Sequence, residues 1–180
     1  MSVEISICEI HNPSLEEMKL QDEEFEIDTV LVLHADANRI RYTFQPVTPY
    51  RKRYHIDWGN EIPYPGEAGT TAYFAYVGEQ KAGRILLRKS WNNLVYIDDI
   101  CVDAAFRCQG IGARLLACAE DWARQRGLPG IMLETQNTNP AACRLYARCG
   151  FELCGFDTHL YKGIPDVSDE IALYWYKMLS

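Results

Sequence analysis

The sequence predicts a mixed α/β domain, and three observations carry that prediction. After residue 70, segments with strand-like and helix-like patterns follow one another in the order β-β-β-α-β-α-β-β. A glycine-containing loop over residues 107–112 separates a strand from a segment with helical apolar spacing. Asn139 followed by Pro140 is typical of a helix start, with asparagine as the cap and proline in the first turn.

The remaining elements are assigned from the same patterns. In the second part of the chain the sequence predicts strands over 72–77, 82–88, 94–102, 130–135, 151–156 and 171–178, and helices over 111–126 and 140–149. In the first part it predicts strands over 4–10, 29–34 and 39–47, with a turn near Asp36–Asn38. An irregular stretch is predicted from Pro46 to Gly69, with the basic cluster 51–53 inside it.

Length and composition indicate one globular domain over residues 1–180. The chain is 48% apolar, and no apolar run is long enough to span a membrane. Because the N-terminus lacks the basic start and apolar stretch of a signal peptide, a soluble cytoplasmic protein is expected. Seven cysteines, an odd number without a CxxC pair, indicate reduced thiols, and four scattered histidines predict no metal site.

The net charge of −7 argues against a nucleic-acid partner and suits a cationic one. Acidic residues are concentrated between Glu16 and Asp28, with Lys19 as the one cation among them. Two interpretations of that segment stay open, a solvated or mobile segment and a surface that attracts a polycationic substrate.

The loop over residues 107–112 is a candidate anion cradle. It reads Arg-Cys-Gln-Gly-Ile-Gly, and it precedes a helix whose free amides and dipole favour a phosphate group. It is neither a Walker loop, which needs Gly-Lys-Ser/Thr, nor a dinucleotide fingerprint, which needs a third glycine and a ribose-binding acid. A tight turn without a ligand is the alternative.

A second motif follows it, Asn139, Ala142, Tyr146, Gly150 and Phe151 in the pattern N-x2-A-x3-Y-x3-GF. The RxxGxG loop combined with this helix resembles the GNAT N-acetyltransferase superfamily. The phrases LRKSWNNLVYIDDICV, LETQNTNPAACRLYARCGF and ALYWY, and more loosely PVTPYRKRY, resemble its streptothricin acetyltransferases, which are antibiotic-resistance enzymes.

That resemblance implies a fold, a cofactor and a set of residue roles. The implied fold is a mixed, mostly antiparallel central sheet with splayed strands flanked by helices, in which residues 1–70 serve the substrate side and 71–180 bind acetyl-CoA. Tyr146 would stand near the thioester sulfur. The implied cofactor-binding residues are Ile100, Cys101, Val102, Arg107, Cys108, Gln109, Gly110, Ile111, Gly112, Ala113, Asn139, Ala142 and Tyr146.

Acetyl transfer to an amine also needs a group that takes a proton, since alkylammonium groups have a pKa near about 10.4. Glu134 and Asp98 are the candidates for that base or for binding the ammonium, with Asp99 as a further substrate-binding residue. Strand alternation places Asp98 and Asp99 on opposite faces, so that one faces the cleft and the other pairs elsewhere. Tyr146 is suited to protonate the leaving thiolate, and Cys101 has no histidine partner that would make it a nucleophile.

The expected function is acetyl-CoA-dependent acetylation of a cationic antibiotic by direct attack, at the β-lysine amine of streptothricin. Two alternatives stay open: a protein or polyamine N-acetyltransferase of the same fold, and a non-catalytic acyl-CoA-binding module. The expected partner is a small cationic amine, with no nucleic acid and no membrane. The aromatic last strand leaves a homodimer interface open.

Overall fold

A computed structural model describes residues 4–37, 39–54 and 69–179. These residues form nine strands and three α-helices, in the chain order β1-α1-β2-β3-β4-β5-β6-α2-β7-α3-β8-β9. The strands are β1 Ile5–Ile10, β2 Phe25–Asp36, β3 Arg39–Lys52, β4 Thr70–Val77, β5 Gln80–Lys89, β6 Val95–Val102, β7 Gly130–Gln136, β8 Glu152–Asp157 and β9 Ala172–Met178. The helices are α1 Leu15–Met18, α2 Ile111–Gln125 and α3 Pro140–Arg148.

The chain divides into two compact units. The first comprises Met1–Glu24, Arg53–Ile131 and Met178–Ser180, and the second comprises Phe25–Lys52 and Met132–Lys177. The order of elements predicted after residue 70 is confirmed, with boundaries within a few residues. The assignment of residues 1–70 to the substrate side and 71–180 to acetyl-CoA stays a prediction.

In the first unit the strands lie in the order β1-β4-β5-β6, each antiparallel to its neighbour. One buried cluster on this sheet consists of Met18 from α1 with Ala72, Phe74 and Leu86. Helix α2 packs on β5 and β6 with its buried residues. Gly83 permits that approach, because a Cβ there would stand 2.9 Å from the Cys101 carbonyl oxygen and 3.3 Å from Leu115.

The short helix α1 was not predicted. Ser14 caps it, accepting a hydrogen bond from the Glu17 amide while the Glu17 carboxylate accepts one from the Ser14 amide. The acidic segment is therefore ordered by specific contacts of its carboxylates. Glu16 binds Lys19 at the surface, and Glu23 enters a buried ion pair with Arg84. Attraction of a polycationic substrate by this segment stays a prediction.

In the second unit β9 lies between β7 and β8, and β2 and β3 form a separate two-stranded sheet. Asn137 connects its parts: the Leu31 amide donates to its carbonyl oxygen, and the Ile171 amide donates to its Oδ1 atom at 2.8 Å. Trp175 on β9 is 1% exposed and packs edge-on against Tyr42. Trp175 is thus part of the core, and a homodimer interface on this strand stays a prediction.

In the first part of the chain, the predicted turn is found but the irregular stretch starts later than predicted. The turn near Asp36–Asn38 is confirmed by the Asp36–Arg39 pair, although Asn38 itself lies outside the described residues. The predicted irregular stretch begins too early, because β3 continues through Pro46 and Pro49 to Lys52. A proline is tolerated there because β3 pairs with β2 on one side only, among the described residues, and needs no outward amide. The rest of that stretch, 55–68, lies outside the described residues.

Candidate active site

The predicted anion cradle is a tightly held loop of the first unit. Asp103 is buried, caps the 3₁₀ turn Ala104–Phe106 and accepts a hydrogen bond from the Asp22 amide at 2.9 Å. The Arg107 guanidinium donates to the carbonyl oxygens of Val102 and Glu24. These contacts fix the start of the loop, which then leads into α2.

The loop enters α2 with an unusual backbone. Cys108 has φ of 61° and Gly110 has φ of 81°, the left-handed region in which a side chain is disfavoured. Gly110 caps α2, and no side chain of the described residues bonds to the first-turn amides. Because α2 is 15 residues long, its positive dipole end and free amides favour an anion such as a pyrophosphate.

The residues of this cradle differ in what their side chains do. Cys108, Gln109 and Gly110 are exposed, as is Ala113, and Gly112 is half-buried. The Ile111 side chain is 1% exposed and belongs to the core. The predicted cofactor contacts at these positions would therefore come from the backbone, and the Arg107 side chain serves the loop itself.

Strand β6 carries the two adjacent acids in a β-bulge. Leu86 pairs with Asp99 and Leu87 with Ile97, so Asp98 is the extra residue. Asp98 binds Arg88 at 2.8 Å and Asp99 binds Arg84 at 2.7 Å. The predicted opposite orientation of the two acids is wrong, because the bulge interrupts alternation and both carboxylates reach arginines on one face of β5.

Arg84 is the centre of a buried charge network. Its side chain is 1% exposed, binds Glu23 through two nitrogens and donates to the Met18 carbonyl oxygen at 2.9 Å. Burial favours the neutral form of Glu23, but Arg84 outweighs it and lowers the pKa of that carboxyl. Burial raises the pKa of Asp99, against the opposing charge of Arg84.

Asp98 and Cys101 are also perturbed by burial. Burial raises the pKa of Asp98, although its hydrogen bond with Arg88 opposes the shift. Burial, with the charge of Asp99 beside it, raises the pKa of Cys101 to about 12. A thiol with that pKa is protonated at neutral pH, which agrees with the prediction that Cys101 is not a nucleophile.

Glu134 on β7 has a different environment, in the second unit. The Tyr161 hydroxyl donates a hydrogen bond to its Oε1 atom. Burial raises the pKa of Glu134, and the Tyr161 hydrogen bond opposes that shift. Among the described residues no lysine or arginine binds this carboxylate, so it combines burial with an uncompensated charge.

Helix α3 carries the second motif. Asn139 caps it by accepting a hydrogen bond from the Ala142 amide at 3.2 Å, and Pro140 follows in the first turn, as predicted. Tyr146 is 4% exposed, and its ring centroid lies 6.0 Å from that of Phe151 and 6.1 Å from that of Trp175. The ring is thus held rigidly, which suits a hydroxyl that must act from one fixed position.

Some residues around these groups were missed by sequence reasoning. Arg84, Arg88 and Asp103 were not singled out, nor was Tyr161. Arg84 and Arg88 stand four apart in one predicted strand, and the next strand carries two acids, a pattern that predicts cross-strand ion pairs. Tyr161 lies in an irregular segment with no motif, so the sequence held no signal for it.

The described residues contain neither a membrane-spanning helix nor a metal-binding cluster. No helix in the described ranges 4–37, 39–54 and 69–179 is long and apolar enough to cross a membrane. Over the same ranges no cluster of histidine, cysteine, aspartate or glutamate side chains has the arrangement of a metal site.

Comparison with known proteins identifies the family. The sequence model of the acetyltransferase (GNAT) family matches residues 27–151. The streptothricin acetyltransferase of Escherichia coli is 38% identical over 84% of this chain and 84% of its own length. Streptothricin acetyltransferase A of Bacillus subtilis is 39% identical over 71% of this chain and 73% of its own length.

Two solved structures superpose on nearly the whole chain. One, assigned as a streptothricin acetyltransferase from Bacillus anthracis strain Ames and bound to acetyl coenzyme A, is 40% identical with a TM-score of 0.84, covering 98% of this chain and 99% of that one. The other, nourseothricin acetyltransferase, is 29% identical with a TM-score of 0.82 and the same coverage. These matches confirm the predicted fold class and the resemblance to streptothricin acetyltransferases. The chain belongs to the GNAT family of acetyltransferases, whose members use acetyl-CoA.

Proposed function

We propose that this protein transfers the acetyl group of acetyl-CoA to an amine of streptothricin, at the β-lysine moiety, by direct attack. The observation that carries the proposal is the similarity to streptothricin acetyltransferases, which extends over 84% of this chain in one relative and 98% in a solved structure. The net charge of −7 supports a cationic acceptor.

In the proposed reaction the first unit holds acetyl-CoA. The amides of Gln109 to Ala113 bind its pyrophosphate, and the backbone of Ile100, Cys101 and Val102 pairs with the pantetheine arm. An amide near Val102 donates to the thioester carbonyl as negative charge develops on its oxygen. The support is the anchored start of the loop, the left-handed φ of Gly110, and the first-turn amides of α2, to which no side chain of the described residues bonds.

The proposed roles in the second unit concern protons. Glu134 takes one proton from the acceptor ammonium, and the amine nitrogen then forms a bond to the acetyl carbon. As the carbon–sulfur bond breaks, Tyr146 gives its proton to the thiolate and regains one from the nitrogen, so one proton in all is released to solvent. Asn139 contacts the pantetheine arm. The support is the buried carboxylate of Glu134 and the fixed ring of Tyr146.

Asp98 and Asp99 stay candidates for binding the acceptor ammonium. Their ion pairs with Arg88 and Arg84 make them weaker candidates for the base than Glu134, because the positive charge of a guanidinium favours the ionised carboxylate and so weakens its affinity for a proton. We also propose that the reaction takes place in the cytoplasm, where acetyl-CoA is available. The absence of a disulfide among the seven cysteines, all of which lie in the described residues, supports a reducing compartment.

Thiol release tests the proposal against its alternatives. The purified protein and acetyl-CoA would be incubated with streptothricin, with spermidine and with a lysine-containing peptide. We expect release of CoA thiol with streptothricin at a kcat/KM at least about 100-fold above the other amines. Release with a polyamine or peptide alone would support the protein or polyamine alternative. Acetyl-CoA binding without release for any amine would support the acyl-CoA-binding module.

The variant Tyr146→Phe tests the proposed acid. Because phenylalanine keeps the ring between Phe151 and Trp175, we expect kcat with streptothricin to fall by about 10- to 100-fold while the acetyl-CoA Kd changes by less than about threefold. Steady-state kinetics and calorimetry would measure the two quantities. An unchanged kcat would remove the role assigned to Tyr146.

A further inference from the structure

The hydroxyl of Tyr161 is a fixed donor to Glu134. Tyr161 is 7% exposed, and it lies in the turn that joins β8 to β9. Asp157 holds that turn, since its Oδ1 atom accepts hydrogen bonds from the amides of His159 at 2.7 Å and Leu160 at 3.1 Å. The Ile164 amide also donates to the Tyr161 carbonyl oxygen at 2.9 Å. The hydroxyl is therefore aimed by a bonded turn and a buried ring.

The hydrogen bond from Tyr161 makes the two oxygens of the Glu134 carboxylate different from each other. Oε1 accepts the Tyr161 hydroxyl, whereas no donor among the described residues reaches Oε2. A general base needs one available lone pair and a fixed orientation. An acid that is bound at both oxygens lacks the first of these, and an acid paired with a guanidinium is stabilised as an anion, which weakens its affinity for a proton.

We propose that Tyr161 is the positioning residue for the base of this acetyltransferase: it holds Oε1 of Glu134 so that Oε2 accepts the proton of the acceptor ammonium. The inference rests on the proposed role of Glu134. Tyr161 itself transfers no proton in this scheme, because its hydroxyl donates to the same oxygen before and after the proton arrives on Oε2.

The electrostatic surroundings indicate what the bond does. Among the described residues, the titratable groups that face Glu134 are Tyr161 and, from β9, Tyr174. Burial raises the pKa of Tyr174, and the charges of Glu134 and Asp157 raise it further, so Tyr174 stays neutral and does not stabilise the ionised carboxylate. The hydroxyl of Tyr161 is then the group that opposes the effect of burial on the pKa of Glu134.

The test compares Tyr161→Phe with Tyr174→Phe, which remove the same atom from two tyrosines beside one carboxylate. The first readout is the acidic limb of kcat/KM against pH, with streptothricin as acceptor. The second is the pKa of Glu134 in the free protein, from an NMR titration with glutamate labelled at the carboxyl carbon and assigned by Glu134→Gln. The second readout needs no substrate.

In Tyr161→Phe we expect the midpoint of the acidic limb and the pKa of Glu134 both to rise by about one pH unit, since a hydrogen bond to a charged group is lost. In Tyr174→Phe both should stay within about 0.3 units of the parent. Asp157→Ala, which loosens the turn, should move both values upwards by less than Tyr161→Phe does, and it replaces that variant if the latter fails to fold.

The outcomes separate this inference from the proposed function. A parent protein that releases no thiol with any amine would sink the proposed function, while the titration would still show whether Tyr161 sets the protonation of Glu134. A parent that is active with streptothricin, with limb and titration unchanged in Tyr161→Phe, would overturn the inference alone. An equal shift in Tyr174→Phe would also overturn it, because the effect would then belong to the general polarity of the pocket.

Discussion

Acids on two strands of this protein are buried to a similar degree but are bound in different ways. On β6, Asp98 and Asp99 each receive a guanidinium, at 2.8 and 2.7 Å. On β7, Glu134 receives one hydroxyl, from Tyr161. Burial raises the pKa of all three carboxyl groups, so the direction of the shift does not distinguish them.

The partner distinguishes them. A guanidinium has a permanent positive charge, so an acid bound to it is stabilised as an anion. A phenol brings one donor and no charge, which leaves the second oxygen and much of the proton affinity. We therefore expect the β6 acids to contribute mainly to stability, and the comparison supports the proposed role of Glu134 as the group that exchanges a proton.

The largest effect is expected when Arg84, the cation of the buried network, is replaced. In Arg84→Met, Glu23 and Asp99 would lose their shared cation inside the first unit, and we expect the free energy of unfolding at pH 7 to fall by about 3–5 kcal/mol. Urea unfolding would measure it. Arg124→Met is the matched control, because Arg124 is 52% exposed in its pair with Glu120, and it should change stability by less than about 0.5 kcal/mol.

The effect of Arg84→Met should depend on pH. Because Arg84 lowers the pKa of Glu23, the stabilisation is present above the ordinary carboxyl pKa of about 4.3 and is lost as the pH falls through the lower folded-state value. The parent and the variant should therefore converge in stability in acid. A difference below about 1 kcal/mol at pH 7 would show that the network is not a stabilising centre.

Removing the carboxylate of Glu134 should lower activity and leave stability unchanged or higher. In Glu134→Gln we expect kcat/KM for streptothricin to fall by about 100- to 1,000-fold, as for loss of a general base. The raised pKa of Glu134 means that its contribution to stability is present in acid and is lost as the pH rises through that value. At pH 7 the glutamine variant should thus be at least as stable as the parent. A kcat/KM within about threefold of the parent would exclude Glu134 as the base.

Local patterns explain what could be predicted before the structure. The β4–β5 hairpin, the apolar spacing of α2 and the Asn139 cap of α3 each depend on residues within a few positions of one another. The capping box Ser14–Glu17 was also visible in the sequence, but α1 has four residues and too short a pattern to show helical periodicity.

The contacts that define the site join residues far apart in the sequence. Glu23 and Arg84 are 61 residues apart, and Glu134 and Tyr161 are 27 apart, so no local rule connects them. The bulge at Asp98 inserts one residue into the pairing of β6 and reverses the facing that alternation predicts. The resemblance to a family indicated the candidate residues, but the partner of each acid could be identified only in the folded chain.

The smallest effect is expected at Asp98, and it sharpens the comparison within β6. Arg88, unlike Arg84, is 30% exposed and stacks over the Tyr96 ring with its central carbon 4.4 Å from the centroid. When Asp98 is replaced by asparagine, Arg88 keeps that contact and gains solvent. We therefore expect Asp98→Asn to cost about 1 kcal/mol or less in the free energy of unfolding.

The activity of Asp98→Asn shows whether the base is the acid on β6 or the acid on β7. If Asp98 binds the acceptor ammonium without acting as the base, Asp98→Asn should raise KM for streptothricin by up to about tenfold while kcat is retained. If Asp98 is the base, kcat should fall as far as it does in Glu134→Gln. Measured side by side under the same conditions, the two variants show whether proton exchange belongs to the acid held by a hydroxyl or to the one held by a guanidinium.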